Sequence, residues 1–242
     1  FLVLNELGMY VRRRIRKFSK FSLHTKLVLI SSGFLILAGF IIIFIEELLN
    51  PKNHLSFGTN ILASLFQSVS ARTAGFNTVS IGHLSFASLF VIMSLMFIGA
   101  SPGSTGGGIK TSTFSVIYAY FHSRIKGKNR IDIFYRNLPS KTVEKAFIVF
   151  ILYFVLMDVL FLLLITFEQN FKLSDLLFET ISAFGTVGLS TGITAQLSLP
   201  SKLIIIATMF IGRIGPLTLL MAISKKESRA NLKYPEENIM IG

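Results

Sequence analysis

One phrase occurs twice in this chain. Leu65-Phe66-Gln67-Ser68-Val69-Ser70-Ala71 runs, after Arg72, into Thr73-Ala74-Gly75-Phe76-Asn77. Leu177-Phe178-Glu179-Thr180-Ile181-Ser182-Ala183 runs, after Phe184-Gly185, into Thr186-Val187-Gly188-Leu189-Ser190. The match continues downstream: Leu84-Ser85 pairs with Leu197-Ser198, and Met96-Phe97-Ile98-Gly99 is identical to Met209-Phe210-Ile211-Gly212. A direct repeat of this kind signals equivalent units packed side by side. Each phrase is an apolar segment too short to cross a bilayer, and each ends in a glycine-containing break.

The surroundings are those of a membrane protein. Of 242 residues, 52% are hydrophobic and only 15% charged, which is too apolar for an ordinary soluble domain. The absence of Cys excludes disulfides, zinc thiolates and thiol catalysis. Charge-free or nearly charge-free runs at 27–45, 84–98, 146–167 and 203–223 are the candidate spanning or half-spanning helices, with Asp158 and Arg213 as the internal charges. The net charge of +12 lies in blocks between them, so it implies no nucleic acid, which would need a soluble domain to present it. The positive-inside rule puts these blocks in the cytoplasm. The expected organisation is a cytoplasmic basic segment over 1–26 and a helix–pore–helix repeat over 27–120. A cytoplasmic loop follows over 121–142, then a second repeat over 143–224 and a cytoplasmic tail over 225–242. The acidic turns with Glu46, Glu47, Glu168 and Asp175 fall outside. The fold class is therefore an all-α polytopic membrane protein of two tandem helix–pore-loop–helix repeats. Both have the same orientation, so they are related by an axis along the membrane normal. The first residue is Phe, and the chain reads as part of a longer polypeptide.

Irregular backbone at membrane depth is costly unless it is buried in protein or lines a wet cavity. Two matched breaks thus point to a cavity. Converging loops can replace a cation's hydration shell with backbone carbonyls, and Gly adopts the left-handed angles such loops need at little cost. The short helices, 61–71 and 174–185, would turn their partly negative C-terminal ends toward the cation. Thr186-Val187-Gly188-Leu189-Ser190 parallels the Thr-Val-Gly-Tyr-Gly filter of potassium channels. With one Gly per repeat, and Leu or Phe in place of Tyr, one dominant cation site per filter is expected. K⁺ is expected at Thr73, Ala74, Gly75, Thr186, Val187 and Gly188. Taken singly, a Thr-x-Gly is well read as an ordinary turn; two copies after one repeated phrase argue against that.

Gly99-Ala100-Ser101-Pro102-Gly103-Ser104-Thr105-Gly106-Gly107-Gly108 interrupts the run after the first filter, with Lys110 close behind. It falls short of a P-loop, because Ile109 separates Gly108 from Lys110 and no strand precedes it. A break in a helix at Gly and Pro is the better reading, and an unwound segment under the filter could gate it. Arg213 matches Ala100 by repeat position, and an intramembrane charge normally faces a bundle interior or wet cavity. It is placed in the pore beside this stretch, with an ion pair to Asp158 as the alternative. Glu179 is expected to hydrogen-bond the filter backbone.

These residues resemble the Trk/Ktr/HKT superfamily of potassium-translocating subunits, most closely the bacterial KtrB type, in its C-terminal half. The two pore phrases, the Ser101–Gly108 break and Gly212-Arg213-Ile214-Gly215-Pro216 carry the resemblance. It implies that the chain holds repeats three and four of a four-repeat pore whose first two lie in a missing N-terminal half. It further implies a homodimer, a cytosolic nucleotide-binding RCK ring of the KtrA type, and K⁺ uptake across a bacterial plasma membrane with Na⁺ as an activator. No organic cofactor is expected. The 121–142 loop and the basic N-terminal segment are the surfaces expected to meet the ring, and the apolar end of the tail to dock on a partner subunit. The rivals are a cation pathway of other selectivity, Na⁺ above all, and a non-transporting membrane scaffold, which would not need two matched breaks. An enzyme lacks its chemistry here, since His24, His54, His83 and His122 are scattered.

Overall fold

The computed structural model describes residues 2–11, 21–51, 55–128, 130–134, 136–215 and 218. Most of the basic N-terminal block, the end of the expected last span and the tail over 225–242 lie outside the described residues. Helix α1 covers Leu2–Val11.

Among the described residues, two helices are long and apolar enough to cross a membrane: α2, Leu23–Leu49, and α6, Ser140–Phe167. At about 1.5 Å per residue each is roughly 40 Å long, more than the hydrocarbon core requires. Helix α2 starts at Ser22, whose hydroxyl accepts the Thr25 N–H at 3.2 Å, a normal N-cap. It stops at Asn50, held extended before Pro51. Each spanning helix is followed by a short one that goes only part of the way: α3, Phe57–Ser70, and α7, Leu173–Gly185. Their limits agree with the sequence reading to within a turn.

The second spanning element of each repeat differs. In the second repeat it is α8, Leu199–Ile214, described no further than Gly215 and residue 218. In the first it is broken as expected, into α4, Phe86–Phe97, and α5, Thr111–Ile125. The 121–142 loop is shorter than expected because α5 continues to Ile125. What remains forms a two-residue antiparallel hairpin, β1 Asp132–Ile133 with β2 Arg136–Asn137.

Helix α7 is the centre. Phe178 and Phe184 are fully buried, and one cluster joins Phe178 and Ile181 to Ile92 and Met96 of α4, across the two repeats. The long helices instead turn apolar side chains outward, Phe34, Leu37, Phe154 and Leu162 among them. Burying α7 and exposing α2 and α6 to an apolar surrounding is what a bilayer solvent permits.

A feature not found by sequence reading ties each repeat together at the far end of its first helix. The Glu47 carboxylate accepts the Ser85 N–H at 2.9 Å, and Glu168 accepts the Ser198 N–H at 2.6 Å. Ser85 and Ser198 are the N-caps of α4 and α8, and each shares its hydroxyl with a serine three residues on. An anion at a helix N-terminus is favourable. Burial raises the Glu168 carboxyl, but the hydrogen bonds from Ser198 and Ser201 and the charge of Lys202 leave it below the ordinary carboxylate value.

Candidate functional site: two left-handed breaks and a pinned loop

The site is built from the C-terminal ends of α3 and α7. The backbone after each short helix turns into the left-handed region at Thr73 (φ 72°) and Thr186 (φ 53°), and again at Gly75 (φ 74°) and Gly188 (φ 94°). Left-handed threonines are uncommon, and finding them at matched positions shows that both breaks have one geometry. Alternating the backbone in this way lets successive carbonyls face the same side, as a cation-lining strand requires. Helix ends are capped from within: Ala74 N–H and Gly75 N–H both donate to the Ser70 carbonyl at 3.1 Å, and Val187 N–H donates to the Ser182 carbonyl at 2.9 Å.

The strands lie against each other. A Cβ on Gly75 would overlap the Val187 carbonyl oxygen, and one on Gly188 would meet the Gly75 Cα at 4.0 Å. Thr73, Ala74, Gly75, Thr186, Val187 and Gly188 therefore come together. The outer residues do not behave alike. The Phe76 carbonyl accepts the Ser70 hydroxyl at 2.5 Å, while the Phe76 ring and Asn77 are exposed. Leu189 is buried in the core. Ser190 belongs to a carboxylate network: Glu179, itself buried, accepts from the Ser190 hydroxyl at 2.5 Å, the Thr191 N–H at 3.1 Å and the Thr194 hydroxyl at 2.8 Å. Glu179 thus holds the segment from Ser190 to Thr194, beyond Gly188. At the matching position, Gln67 is buried with neither amide atom hydrogen-bonded.

Residues 98–108 form a closed excursion between α4 and α5. Ile109 N–H donates to the Phe97 carbonyl at 3.0 Å and Thr111 N–H to the Ala100 carbonyl at 3.4 Å, so the chain leaves and returns at one point. A Ser101–Ser104 turn, containing Pro102, forms the tip. The far side of the loop lies against both Thr-x-Gly breaks. Gly107 N–H donates to the Thr186 hydroxyl at 2.6 Å. A Cβ on Gly106 would stand 2.7 Å from the Thr73 hydroxyl, and one on Gly107 2.8 Å from the Phe184 carbonyl. The run of glycines is what allows a backbone to approach so closely. The repeated Gly212 does the same for α8, since a Cβ there would overlap the Phe184 carbonyl oxygen.

Three cationic side chains hold the loop by its carbonyls. Lys110 donates to the Gly106 carbonyl, Arg213 to the Thr105 carbonyl, and Arg72 to that of Gly99 at 3.4 Å. They come from α3's end, α5's start and α8. Lys110 and Arg213 are expected here from the sequence; Arg72 is not. The alternative of an Arg213–Asp158 ion pair is not what the structure has, because Arg213 bonds the loop and Asp158 lies exposed on α6. Among the described residues no cluster of His, Asp and Glu could hold a metal ion, so a cation here would be met by carbonyls and hydroxyls.

Comparison with known proteins places this geometry. The family model for the TrkH cation transport proteins matches residues 10–234. Ktr system potassium uptake protein B of Vibrio alginolyticus is 41% identical over 91% of this chain and 48% of its own length. Ktr system potassium uptake protein D of Bacillus subtilis is 42% identical over all of this chain and 54% of its own. The potassium/sodium uptake protein NtpJ of Enterococcus hirae is 37% identical, over 100% and 55%. The crystal structure of the potassium transporter TrkH from Vibrio parahaemolyticus superposes with a TM-score of 0.68 over 80% of this chain and 43% of that one, at 22% identity, which speaks to the fold. The chain spans about half the length of the relatives it matches. It belongs to the TrkH family of cation transport proteins, membrane proteins of all-α fold and not enzymes.

Proposed function

We propose that this chain is the half of a potassium uptake subunit that carries pore repeats three and four. Thr73–Asn77 and Thr186–Ser190 are two strands of a selectivity filter in a bacterial plasma membrane. The observation that carries this reading is the matched left-handed Thr and Gly in two adjoining strands, each at the end of a half-depth helix. The two strands line one side only, so repeats one and two of the missing N-terminal half complete the ring. Cation sites form at Thr73, Ala74, Gly75, Thr186, Val187 and Gly188. The Phe76 carbonyl, already bonded by Ser70, contributes less. Glu179 fixes the outer strand of repeat four.

The loop 99–108, with Lys110 and Arg213, is the gate. It sits against the helix-side end of both filters, and its positive pins oppose a resident cation. Opening requires releasing those carbonyls. The basic N-terminal segment and C-terminal tail are cytoplasmic, the full subunits pair as a homodimer, and an RCK nucleotide-binding ring acts on the cytoplasmic face. Na⁺ dependence is retained in the reading because one relative is named for potassium and sodium together. The test is tracer flux in proteoliposomes with the full-length subunit. K⁺ or Rb⁺ should enter and be displaced by excess K⁺ but not by Na⁺. Equal displacement by both ions refutes the potassium reading, and absence of any cation flux refutes the pore.

A further inference from the structure

The cytoplasmic end of the first repeat holds a second cavity that the pore does not use. It has a volume of about 670 Å³ and lies between α2 and α5. Its walls are Ile30 and Phe34 from α2 and Phe114 and Tyr118 from α5, and it ends at Lys126 and Lys128. Ile30, Phe34 and Tyr118 are 47%, 65% and 64% exposed, so the groove is open along its side. The serines in the wall have no free donor for an anion, since each already gives its proton to a carbonyl. Ser31, Ser115 and Ser123 donate their hydroxyls to the carbonyls of Leu27, Thr111 and Arg130. Apart from His122, which stacks on Tyr118, the rest of the shaft is apolar, and the charge is confined to one end. There Lys126 and Lys128 stand with Arg124 and Arg130 close by in sequence, against Asp132 alone in the cavity lining.

From Phe114 to the Lys126 end, at 1.5 Å per residue, the shaft is about 18 Å long, close to one leaflet of a hydrocarbon core of roughly 30 Å. An apolar shaft of leaflet depth with a cationic mouth fits one ligand class. We infer that the α2–α5 groove binds an anionic phospholipid of the cytoplasmic leaflet, acyl chain along Phe34 and Tyr118, headgroup phosphate at Lys126 and Lys128. Basic pockets between spanning helices on that side recognise such headgroups. A soluble phosphate would leave the apolar shaft unfilled, and a zwitterionic lipid would leave the lysines less well matched. The site has a route to transport. Helix α5 begins at Thr111, directly after the loop, and Lys110 donates to the loop's Gly106 carbonyl. A lipid wedged between α2 and α5 fixes the lean of α5 and so steadies the loop. The location rests on the proposed topology, and the coupling rests on the proposed gate.

The test uses the full-length subunit and reads lipid and flux separately. Native mass spectrometry after delipidation and titration with phosphatidylglycerol, with phosphatidylcholine as control, counts retained lipids. Wild-type protein should retain at least one phosphatidylglycerol in preference to phosphatidylcholine. The exposed double variant K126Q/K128Q should weaken that retention about tenfold. I30W, which fills the shaft without altering charge, should also displace the lipid. In vesicles of phosphatidylcholine with 30% phosphatidylglycerol, wild-type Rb⁺ flux should differ from that in pure phosphatidylcholine, and both variants should lose the difference. Unchanged retention in both variants overturns the site, as does a protein segment found seated in the groove. Lost retention with lipid-independent flux keeps the site and overturns its coupling to the loop. Retention needs no working filter, so a failure of the pore reading appears separately, as absent flux in wild type.

Discussion

Gly75→Ala is the sharpest probe of the proposed filter, because two effects that usually travel together can be separated. At φ 74° an alanine carries left-handed strain, roughly 1–2 kcal/mol. Strain alone is tolerable in this place, since Thr73 and Thr186 already sit in that region. The contact is not. The new Cβ would stand 2.0 Å from the Val187 carbonyl oxygen, where real Cβ atoms stay beyond 3.0 Å. Either that carbonyl or the Gly75 backbone must retreat by about 1 Å. Overpacking of this kind costs a further ~1–3 kcal/mol. If the proposed filter is right, a ligand carbonyl moved that far no longer matches its ion. K⁺ over Na⁺ preference in tracer flux should fall at least tenfold, about 1.4 kcal/mol of discrimination. Gly103→Ala is the control. It has φ 81° and nothing within 4 Å of the new Cβ, so it carries strain without contact and should keep selectivity. Thermal unfolding and gel filtration show whether each variant is folded. A folded Gly75→Ala with wild-type K⁺/Na⁺ preference would mean that the Val187 carbonyl is not an ion ligand.

Three further outcomes follow from the same geometry. Removing residues 103–106 takes away the Thr105 and Gly106 carbonyls that Arg213 and Lys110 hold, and should raise flux several-fold at constant selectivity; Arg213→Gln should move flux in the same direction, whereas a loss confined to expression would make Arg213 structural. Glu179→Gln turns a pure acceptor of three hydrogen bonds into a group that also donates, at roughly 1.5–3 kcal/mol for bonds to a charged group. Selectivity should drop and Glu179→Asp should restore part of it; lower stability with unaltered selectivity would count against a filter role. The Glu168 carboxyl, depressed in the folded chain, contributes stability that is present above its unfolded value near 4.5 and is lost as pH falls through the lower folded value. Melting temperature should therefore decline below about pH 4.5, and Glu168→Gln should flatten part of that decline; an unchanged profile refutes the assignment.

Much of this architecture is legible in the chain because the repeat is spelled in residues with few structural alternatives. Thr-x-Gly after an apolar helix of half-membrane length leaves the backbone little else to do. The Met-Phe-Ile-Gly pair is legible for the same reason, although its two glycines serve different neighbours. Gly212 admits the Phe184 carbonyl, while Gly99 admits that of Gly107. Identity in sequence fixed the need for a small residue and not the partner. The Glu47 and Glu168 clamps are missed because they fall out of register. The pore phrases repeat at 112 and 113 residues but the two glutamates are 121 apart, since Glu47 lies inside α2, ten residues before α3, whereas Glu168 follows the end of α6, five residues before α7. Their signal lies in the receiving ends, Ser85-x-x-Ser88 and Ser198-x-x-Ser201, which read as helix starts with an open N–H.

The pinned loop is the hardest part to read, and the reason lies in what is being recognised. Arg72, Lys110 and Arg213 do not seek acidic partners; they seek carbonyl oxygens that glycines have left uncovered. A carbonyl is present at every residue, so no residue type announces the contact, and Arg213 reaches across 108 positions of sequence. The visible clue is the lack of acid. From Arg72 to Lys110 the chain has no Asp or Glu, so cations there turn to neutral acceptors: Lys110 to the Gly106 carbonyl, Arg72 to the Gly99 carbonyl and the Ser32 hydroxyl. Such a contact gains a charge-assisted hydrogen bond without neutralising the positive charge. An Arg–Asp pair at Arg213 would be tighter but electrically silent to a passing ion. A carbonyl-held arginine keeps its field and can release the loop without leaving a carboxylate behind in the pathway. In the proposed gate, that is the physical advantage of holding loop carbonyls with lysine and arginine, while Asp158 lies exposed on α6.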